Sequence, residues 1–96
     1  MKNKVFFNIK NKKYSSYKKI FIIAEIGTNH NNSYQTCKKL ILLAKKSGCD
    51  AVKFQIFKAD ELLQKKSPGY SILKKHETPI EWIPKISKLC KKVNIF

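Results

Sequence analysis

The stretch IFIIAEIGTNHNNSYQTCKKLILLAKKSGCDAVKFQIF, residues 20–57, decides the fold. It opens with Ile20 to Ile26, which is apolar almost throughout, as are strands covered on both faces in parallel sheets. Asn32 or Ser33 then predicts the start of a helix with a regular apolar stripe. Residues 51–57 alternate between apolar and polar, as a second strand does. A strand, a helix and a strand with short connections predict a parallel, right-handed βαβ unit, and hence an α/β fold.

A hairpin is predicted before this unit. Residues 5–9 (VFFNI) form a β-prone run, followed by a polar turn over residues 10–13 and a mixed polar and aromatic segment over residues 14–19. We therefore divide the chain into an N-terminal hairpin, residues 1–19, and the start of one domain, residues 20–96.

After the βαβ unit the signals are less regular. Residues 58–75 have weak periodicity, with a turn predicted at residues 67–69. Residues 78–81 (TPIE) have the cap, proline and glutamate of a helix start. Pro84 would remove a backbone hydrogen bond inside that helix, so we expect either a kink or a helix that begins near it. Residues 94–96 are predicted to open a third strand.

The chain is strongly basic, with 21 basic and 6 acidic residues and a formal net charge of +15. Such a charge suggests a polyanionic partner. Every basic residue is a lysine, however, and phosphate and base recognition favour the bidentate guanidinium of arginine. We therefore interpret most lysines as solvated surface and expect no nucleic-acid partner. A small lysine-rich nucleic-acid-binding module is kept as the alternative.

The cysteines and the N-terminus indicate a cytoplasmic protein. Cys37, Cys49 and Cys90 are odd in number and lack CxxC spacing, which favours reduced thiols. The apolar run from Ile20 to Ala24 is shorter than the ~7 to 15 residues of a signal-peptide core. We expect no secretion signal and no membrane span.

Glu25 and Lys53 occupy comparable places near the carboxyl ends of the two predicted strands. Parallel α/β folds bind ligands at that end, where loops converge. If the strands are neighbours, an acid, an amine and the Gln55 amide line one crevice. The alternatives are a structural ion pair, and a Lys53 side chain that only reaches water at the sheet margin. Because apolar residues would serve a sheet at least as well as an ion pair, we favour a binding site.

The loop after the first strand adds less specific candidates. His30 could be an acid, a ligand or a polar surface residue, and a surface residue is favoured because no second histidine is near it in sequence. Asn29 belongs to a segment of asparagines, which build turns and also bind polar ligands. No P-loop, GxGxxG, GxSxG or HExxH motif is present, so nucleotide-binding, serine-hydrolase and zincin functions have no support. No metal ligand is predicted in the chain.

Residues 22–62 closely resemble the opening of the sialic acid synthase family, the N-acetylneuraminate synthases and their legionaminate and pseudaminate relatives. The resemblance rests on AEIGxNHN, on AKKSGCDAVKFQ and on the spacing between them, and it continues more loosely to residue 96. It implies a TIM (β/α)8 barrel, of which this chain would supply the N-terminal β-hairpin and the first β-α-β-α-β portion.

The resemblance also implies an activity and its participants. The family condenses phosphoenolpyruvate with an N-acylated aminosugar, typically N-acetylmannosamine, to give a nine-carbon 2-keto sugar acid and phosphate. Glu25 would be an active-site acid, Lys53 would bind phosphoenolpyruvate and Gln55 would bind the aminosugar. Asn29 and His30 would shape the loop beneath the substrate. The divalent metal of the family, Mn²⁺ or Mg²⁺, would have its ligands outside this chain, and the enzymes are typically homodimers.

The resemblance sets a limit as well. A barrel needs eight strands and about 250 residues, so we expect this 96-residue chain to be a fragment that is inactive alone. Tyr70 stands where some relatives supply a sugar-binding asparagine, and Pro84 departs from the usual helix. A related phosphoenolpyruvate-dependent aldolase acting on another sugar is the enzymatic alternative.

Overall fold

Two small sheets and four helices make up residues 5–15 and 19–96, the part of the chain that the computed structural model describes. The elements are β1 (Phe6–Ile9), β2 (Lys12–Ser15), β3 (Ile23–Gly27), α1 (Tyr34–Lys46), β4 (Ala51–Phe54), α2 (Ala59–Leu62), α3 (Tyr70–Lys75) and α4 (Trp82–Val93). β1 pairs antiparallel with β2, and β3 pairs parallel with β4. The fold is therefore α/β, as predicted. None of the described helices is long and apolar enough to cross a bilayer.

The hairpin of β1 and β2 turns on two residues, Lys10 and Asn11, whose φ angles are 46° and 66°. Positive φ at both central positions matches the right-handed twist of the strands on either side. The predicted turn over residues 10–13 is wrong in its second half, because residues 12 and 13 already pair with β1. The predicted continuation over residues 16–18 lies outside the described residues.

Aromatic rings join this hairpin to the sheet of β3 and β4. Tyr14 is 1% exposed, stacks on Phe7 at a centroid distance of 5.4 Å and meets the edge of Phe21 at 5.0 Å. Phe21 in turn contacts Phe96 at 5.8 Å. Since Phe21 precedes β3, the hairpin covers the amino-terminal end of the parallel strands, which leaves the carboxyl end to other residues.

β3 is shorter and less buried than predicted. The strand starts at Ile23, while Ile22 precedes it and accepts hydrogen bonds from the backbone N–H groups of Asp50 and Ala51. Burial on both faces is the wrong prediction here: Ile26 packs against α1, but Ile23 on the opposite face is 53% exposed. The described helices cover one face of the sheet only, so the other face presents its side chains to solvent.

Helix α1 follows the predicted pattern. The Ser33 hydroxyl accepts the Thr36 N–H at 3.2 Å, which makes Ser33 the N-cap. Of the two predicted starts, Ser33 is therefore the one that caps the helix, and Thr36 stands at the third helical position. The apolar stripe is buried as expected, through Cys37, Ile41 and Ala44.

β4 ends earlier than the predicted strand over residues 51–57. Val52 and Phe54 pack against the core cluster, as their alternation predicted. The ladder continues for one bond beyond the strand, from the Gln55 N–H to the Gly27 carbonyl at 3.3 Å. Ile56 was predicted to share the buried face but lies past this bond and is exposed.

The last third of the chain contains helices that periodicity predicted only in part. α2 and α3 form within residues 58–75, and α3 follows the turn at Gly69. α4 begins at Trp82, so Pro84 is its third residue, where a backbone N–H has no intrahelical partner anyway. The proline therefore breaks no hydrogen bond, in agreement with a helix that begins near it.

Phe96 extends the parallel sheet by one position. Its N–H donates to the Asp50 carbonyl at 3.0 Å, and its carbonyl accepts the Val52 N–H at 2.8 Å. This is the bonding of a parallel neighbour on the edge of β4 opposite β3. Asn94 is not extended, with φ 60°, because it caps α4.

Candidate active site

Glu25 and Lys53 meet at the carboxyl ends of β3 and β4. They are paired in the parallel register, so their side chains emerge on the same face of the sheet. The Lys53 Nζ lies 3.2 Å from Glu25 Oε2. The βαβ arrangement thus brings together the acid and the amine that the sequence placed on separate strands.

This ion pair is open to solvent, with 49% of the Glu25 side chain and 64% of the Lys53 side chain exposed. A structural ion pair is the alternative to a binding site that the sequence leaves open. Glu25 and Lys53 do not form a buried ion pair, because both side chains are exposed. Exposed ion pairs contribute about 0–1 kcal/mol to stability. Both charges therefore remain available to a polar ligand, and the fold depends little on them.

Gly27 makes room between Glu25 and Gln55. The strand register shifts between Glu25 and Gly27, so that Gly27 rather than Ile26 is paired with Phe54. Gly27 has φ +58°, and a Cβ there would lie 3.5 Å from Glu25 Oε1 and 4.0 Å from Gln55 Oε1. The carboxylate and the amide thus converge over a residue without a side chain. Glu25, Lys53 and Gln55 form one polar edge, which we call the carboxyl-edge triad.

His30 lies under this edge and is completely buried. Its Nδ1 accepts the backbone N–H of Asn32 at 3.0 Å, and its Nε2 lies 2.7 Å from the Thr78 hydroxyl oxygen. The Thr78 hydroxyl donates in turn to the Gln55 carbonyl at 3.0 Å. The ring edge also packs against Trp82, with centroids 5.0 Å apart. The favoured prediction of a surface histidine is wrong, because the loop folds inward over α4.

Burial lowers the pKa of His30 below its usual 6.5, and the nearby charge of His76 lowers it further. The imidazole is therefore neutral at pH 7. Its Nδ1 is an acceptor, since a backbone N–H can only donate, so the proton is on Nε2. His30 holds its neighbours in place and has no free nitrogen for a ligand.

Thr78 is the functional-site neighbour that sequence reasoning missed. Its position before a proline predicted a helix cap, yet α4 starts four residues later with no side-chain cap. The buried hydroxyl instead links the His30 ring to the Gln55 carbonyl. His30 is 48 residues away from Thr78 in the sequence. A pattern of neighbouring residues in the sequence cannot predict a contact over that separation.

Asn29 is exposed, and its backbone N–H donates to the Ile26 carbonyl at 2.9 Å. Together with Glu25 it lines an open cavity of about 270 Å³ between β3 and α1. Asn29 thus lies in the loop next to the triad, as the sequence placed it.

Tyr70, which replaces an asparagine expected by resemblance, lies outside the triad. Its hydroxyl donates a short hydrogen bond to Asp60 Oδ1 and so joins α3 to α2. This hydrogen bond lowers the pKa of the Asp60 carboxyl. The Tyr70 hydroxyl is therefore engaged in the packing of two short helices.

Cys37 and Cys90 are not candidate nucleophiles. All three are free, and Cys37 and Cys90 are buried. Burial raises the pKa of Cys37 to about 11 and also raises that of Cys90. Both thiols are protonated at neutral pH, and a protonated thiol is a poor nucleophile.

Among the residues that the structure describes, no three His, Cys, Asp or Glu side chains come together as a metal site. Glu25, the carboxylate of the triad, faces a lysine and not a second acid. The described residues do not fit the divalent metal that the resemblance implies, and we assign no chemical step to one.

The comparison with known families decides the assignment. Residues 40–96, more than half of the chain, match the NeuB family. The chain belongs to the NeuB family. The predicted resemblance to sialic acid, legionaminate and pseudaminate synthases is thereby confirmed.

Two relatives illustrate the match in sequence. N,N'-diacetyllegionaminic acid synthase of Legionella pneumophila is 62% identical over 45 residues, which cover 47% of this chain and 13% of the relative. Spore coat polysaccharide biosynthesis protein SpsE of Bacillus subtilis is 36% identical over 101 residues, covering 93% of this chain and 27% of the relative. The crystal structure of SpsE superposes with a TM-score of 0.71.

A solved structure shows the same fold at lower identity. N-acetylneuraminic acid (sialic acid) synthetase from Leptospira borgpetersenii superposes with a TM-score of 0.83 at 24% identity, covering 97% of this chain and 33% of that one. The chain therefore spans a third or less of the length of these proteins.

Proposed function

We propose that this chain provides the part of a sialic acid synthase-type TIM barrel that binds phosphoenolpyruvate and an N-acylated aminosugar. The observation that carries the proposal is the carboxyl-edge triad, in which Lys53 lies 3.2 Å from Glu25 and the Gln55 amide converges with Glu25 over Gly27. Family membership and the names of the relatives support this choice of substrates.

Lys53 would bind the anionic substrate, phosphoenolpyruvate. Phosphoenolpyruvate carries a carboxylate and a phosphate. Either group can accept a hydrogen bond from the exposed Lys53 ammonium while that ammonium keeps its ion pair with Glu25. A lysine is a compact charge with three donors, which suits a ligand whose oxygens point in several directions. Binding would therefore add an acceptor to Lys53 without requiring the fold to change.

Glu25 would lie beside the reacting carbons. The methylene carbon of phosphoenolpyruvate (C3) attacks the carbonyl carbon of the sugar aldehyde, forming a C–C bond, and the aldehyde oxygen gains a proton to become a hydroxyl. Water adds at C2, the carbon that bears the phosphate ester and the carboxylate, and loses a proton, and phosphate leaves as the ketone forms at C2. A carboxylate at this place stabilises the positive charge that develops on that carbon before water adds.

Gln55 would recognise the sugar. An amide offers both a carbonyl acceptor and two N–H donors, which complement hydroxyls and an N-acyl group without adding charge. Its exposure and its position next to Glu25 support this role.

Binding to the chain itself tests the proposal. We expect phosphoenolpyruvate, added to ¹⁵N-labelled chain, to shift the resonances of the triad and its neighbours at millimolar concentrations. Lys53→Met should abolish this response. Lys39→Met, which removes an exposed lysine from α1, should leave it intact. Shifts confined to the lysines of α1 and α4 would contradict the proposal.

The chain alone should not catalyse the condensation, because its triad is open to solvent on one face of a two-stranded sheet. An assay with phosphoenolpyruvate, N-acetylmannosamine and Mn²⁺ measures this directly. Release of phosphate by the purified chain would contradict the expectation that the chain is inactive alone. Mass spectrometry of the product would then separate a sialic acid synthase from an aldolase that uses another sugar.

The aromatic residues do not support the alternative of a nucleic-acid-binding module. Lysine ammonium groups lie over rings of the chain itself, in the pairs Lys10 and Phe96, Lys13 and Phe6, Lys19 and Tyr14, and Lys85 and Tyr34. Single-strand binding needs aromatic faces free to stack on bases. We expect any binding to polyanions to be weak and without sequence preference.

A further inference from the structure

We infer that His30 and Thr78 are positioning residues that aim the Gln55 amide at the aminosugar, an assignment that rests on the proposed function of the triad. The two side chains connect three loops at the carboxyl end of the sheet. His30 comes from the loop after β3, Gln55 from the loop after β4, and Thr78 from the loop before α4.

The direction of every hydrogen bond in this connection is fixed. The Asn32 N–H donates to His30 Nδ1, which puts the ring proton on Nε2. Nε2–H then donates to the Thr78 oxygen at 2.7 Å, and the Thr78 hydroxyl donates to the Gln55 carbonyl at 3.0 Å. Each group has one role, so reversing any bond would leave a buried polar atom without a partner.

Gln55 is held at both of its backbone polar groups. Its N–H donates to the Gly27 carbonyl at 3.3 Å, and its carbonyl accepts the Thr78 hydroxyl. The residue has left the regular strand, which ends at Phe54, so the sheet alone does not set the direction of its side chain. The Thr78 bond supplies the missing constraint.

Neither positioning residue can reach a ligand. His30 is 0% exposed and Thr78 is 2% exposed, and the ring nitrogens of His30 are both engaged. Their effect on the sugar must therefore pass through Gln55. Lys53 is on a regular strand position and does not depend on them, so phosphoenolpyruvate binding should be independent of this pair.

The geometry is tested first in the ¹⁵N-labelled chain by nuclear magnetic resonance. Long-range ¹H–¹⁵N spectra at pH 7 should show His30 as the neutral tautomer with its proton on Nε2. Nuclear Overhauser contacts should join the Gln55 side-chain amide to Gly27. Thr78→Val should remove these contacts, and Thr78→Ser, which keeps the hydroxyl, should restore them. A protonated or Nδ1–H ring in the unmodified chain would overturn the inference without any variant, as would contacts that persist in Thr78→Val.

Binding then separates this inference from the proposed function. We expect the Kd for N-acetylmannosamine to rise about tenfold in Thr78→Val, with the Kd for phosphoenolpyruvate within about twofold and recovery in Thr78→Ser. An unchanged sugar Kd in Thr78→Val, or an equal loss for both ligands, would overturn the positioning role. If the unmodified chain binds neither ligand, the proposed function fails, while the tautomer and the Gln55 contacts still decide the positioning.

Discussion

At the scale of single residues, the exposure of the Glu25 and Lys53 pair separates binding from stability. The two charges are 3.2 Å apart but about half exposed, so water screens their attraction. The same exposure leaves the ammonium open to an incoming anion. A substitution of Lys53 therefore tests its proposed binding role with little effect on folding.

Lys53→Met should therefore change the free energy of unfolding by less than about 1 kcal/mol. The methionine keeps the length of the stem and removes only the charge. Urea denaturation measures the change, with Lys39→Met as the matched control. A loss of several kcal/mol in Lys53→Met alone would mean that the pair is a structural ion pair after all.

The buried His30 predicts a dependence of stability on pH. Its pKa is lowered in the folded chain by burial and by His76, so the unfolded chain takes up a proton first as the pH falls. The free energy of unfolding should thus decrease from about pH 7.5 to about pH 5.5, a range above the ordinary pKa values of carboxyl groups. The free energy of unfolding is measured against pH in the His76→Asn variant. The chain has two histidines, so His30 is the one that remains in this variant. A free energy that stays constant over this range would contradict a buried, neutral His30.

At the scale of elements, the two ends of the loop between β3 and α1 are fixed by local chemistry. Gly27 takes a left-handed conformation at the register shift, and Ser33 caps the helix. The loop therefore enters and leaves in defined directions, which lets His30 point inward while Asn29 stays exposed.

Ser33→Ala should destabilise the chain by about 1 kcal/mol, because the Thr36 N–H loses its acceptor at the helix start. Ser33→Asp keeps an oxygen acceptor and should retain most of the stability. Thermal denaturation followed by circular dichroism measures both. Equal losses in the two variants would show that the cap does not depend on this hydrogen bond.

Gly27→Ala should cost about 1–2 kcal/mol, because φ +58° is unfavourable for alanine. The added methyl would meet Glu25 Oε1 at 3.5 Å, an ordinary contact, so crowding is not the cause. Gly27→Asn should lose less, since asparagine tolerates this conformation. A greater loss for asparagine than for alanine, in denaturant titrations, would point to crowding instead.

At the scale of the whole molecule, different kinds of side chain occupy the two ends of the parallel sheet. The hairpin packs aromatic rings against the amino end, and the triad occupies the carboxyl end. The aromatic packing and the proposed binding site thus lie at opposite ends of the sheet.

Tyr14→Ala should destabilise the chain by about 3 kcal/mol or more, because it removes a buried ring with two aromatic neighbours. Phe6→Ala removes a ring that is exposed and should cost much less. Equilibrium unfolding measures both, and folded Tyr14→Ala should still respond to phosphoenolpyruvate. A similar cost for the two variants would mean that the hairpin does not pack on the sheet.

Local patterns were sufficient for part of this architecture. The stripe of α1 follows from the helical period, which is a property of neighbouring residues. The meeting of Glu25 and Lys53 follows from the usual parallel pairing of consecutive strands in a βαβ unit. The exposure of Ile23 depends on which elements cover the sheet, and the use of Thr78 depends on a partner 48 residues away. Neither is encoded in a local period, which is why the predictions of a doubly covered strand and a surface histidine were wrong.

The hydrogen bond from the Asn32 N–H to His30 Nδ1 has a consequence for amide exchange with solvent. Asn32 is an exposed residue in a turn, and amides in such places ordinarily exchange within seconds. Here the N–H donates to a completely buried ring, so its proton can exchange only when that ring separates from the N–H. The Asn32 amide should therefore exchange slowly for its location, at a rate set by how often the three loops come apart.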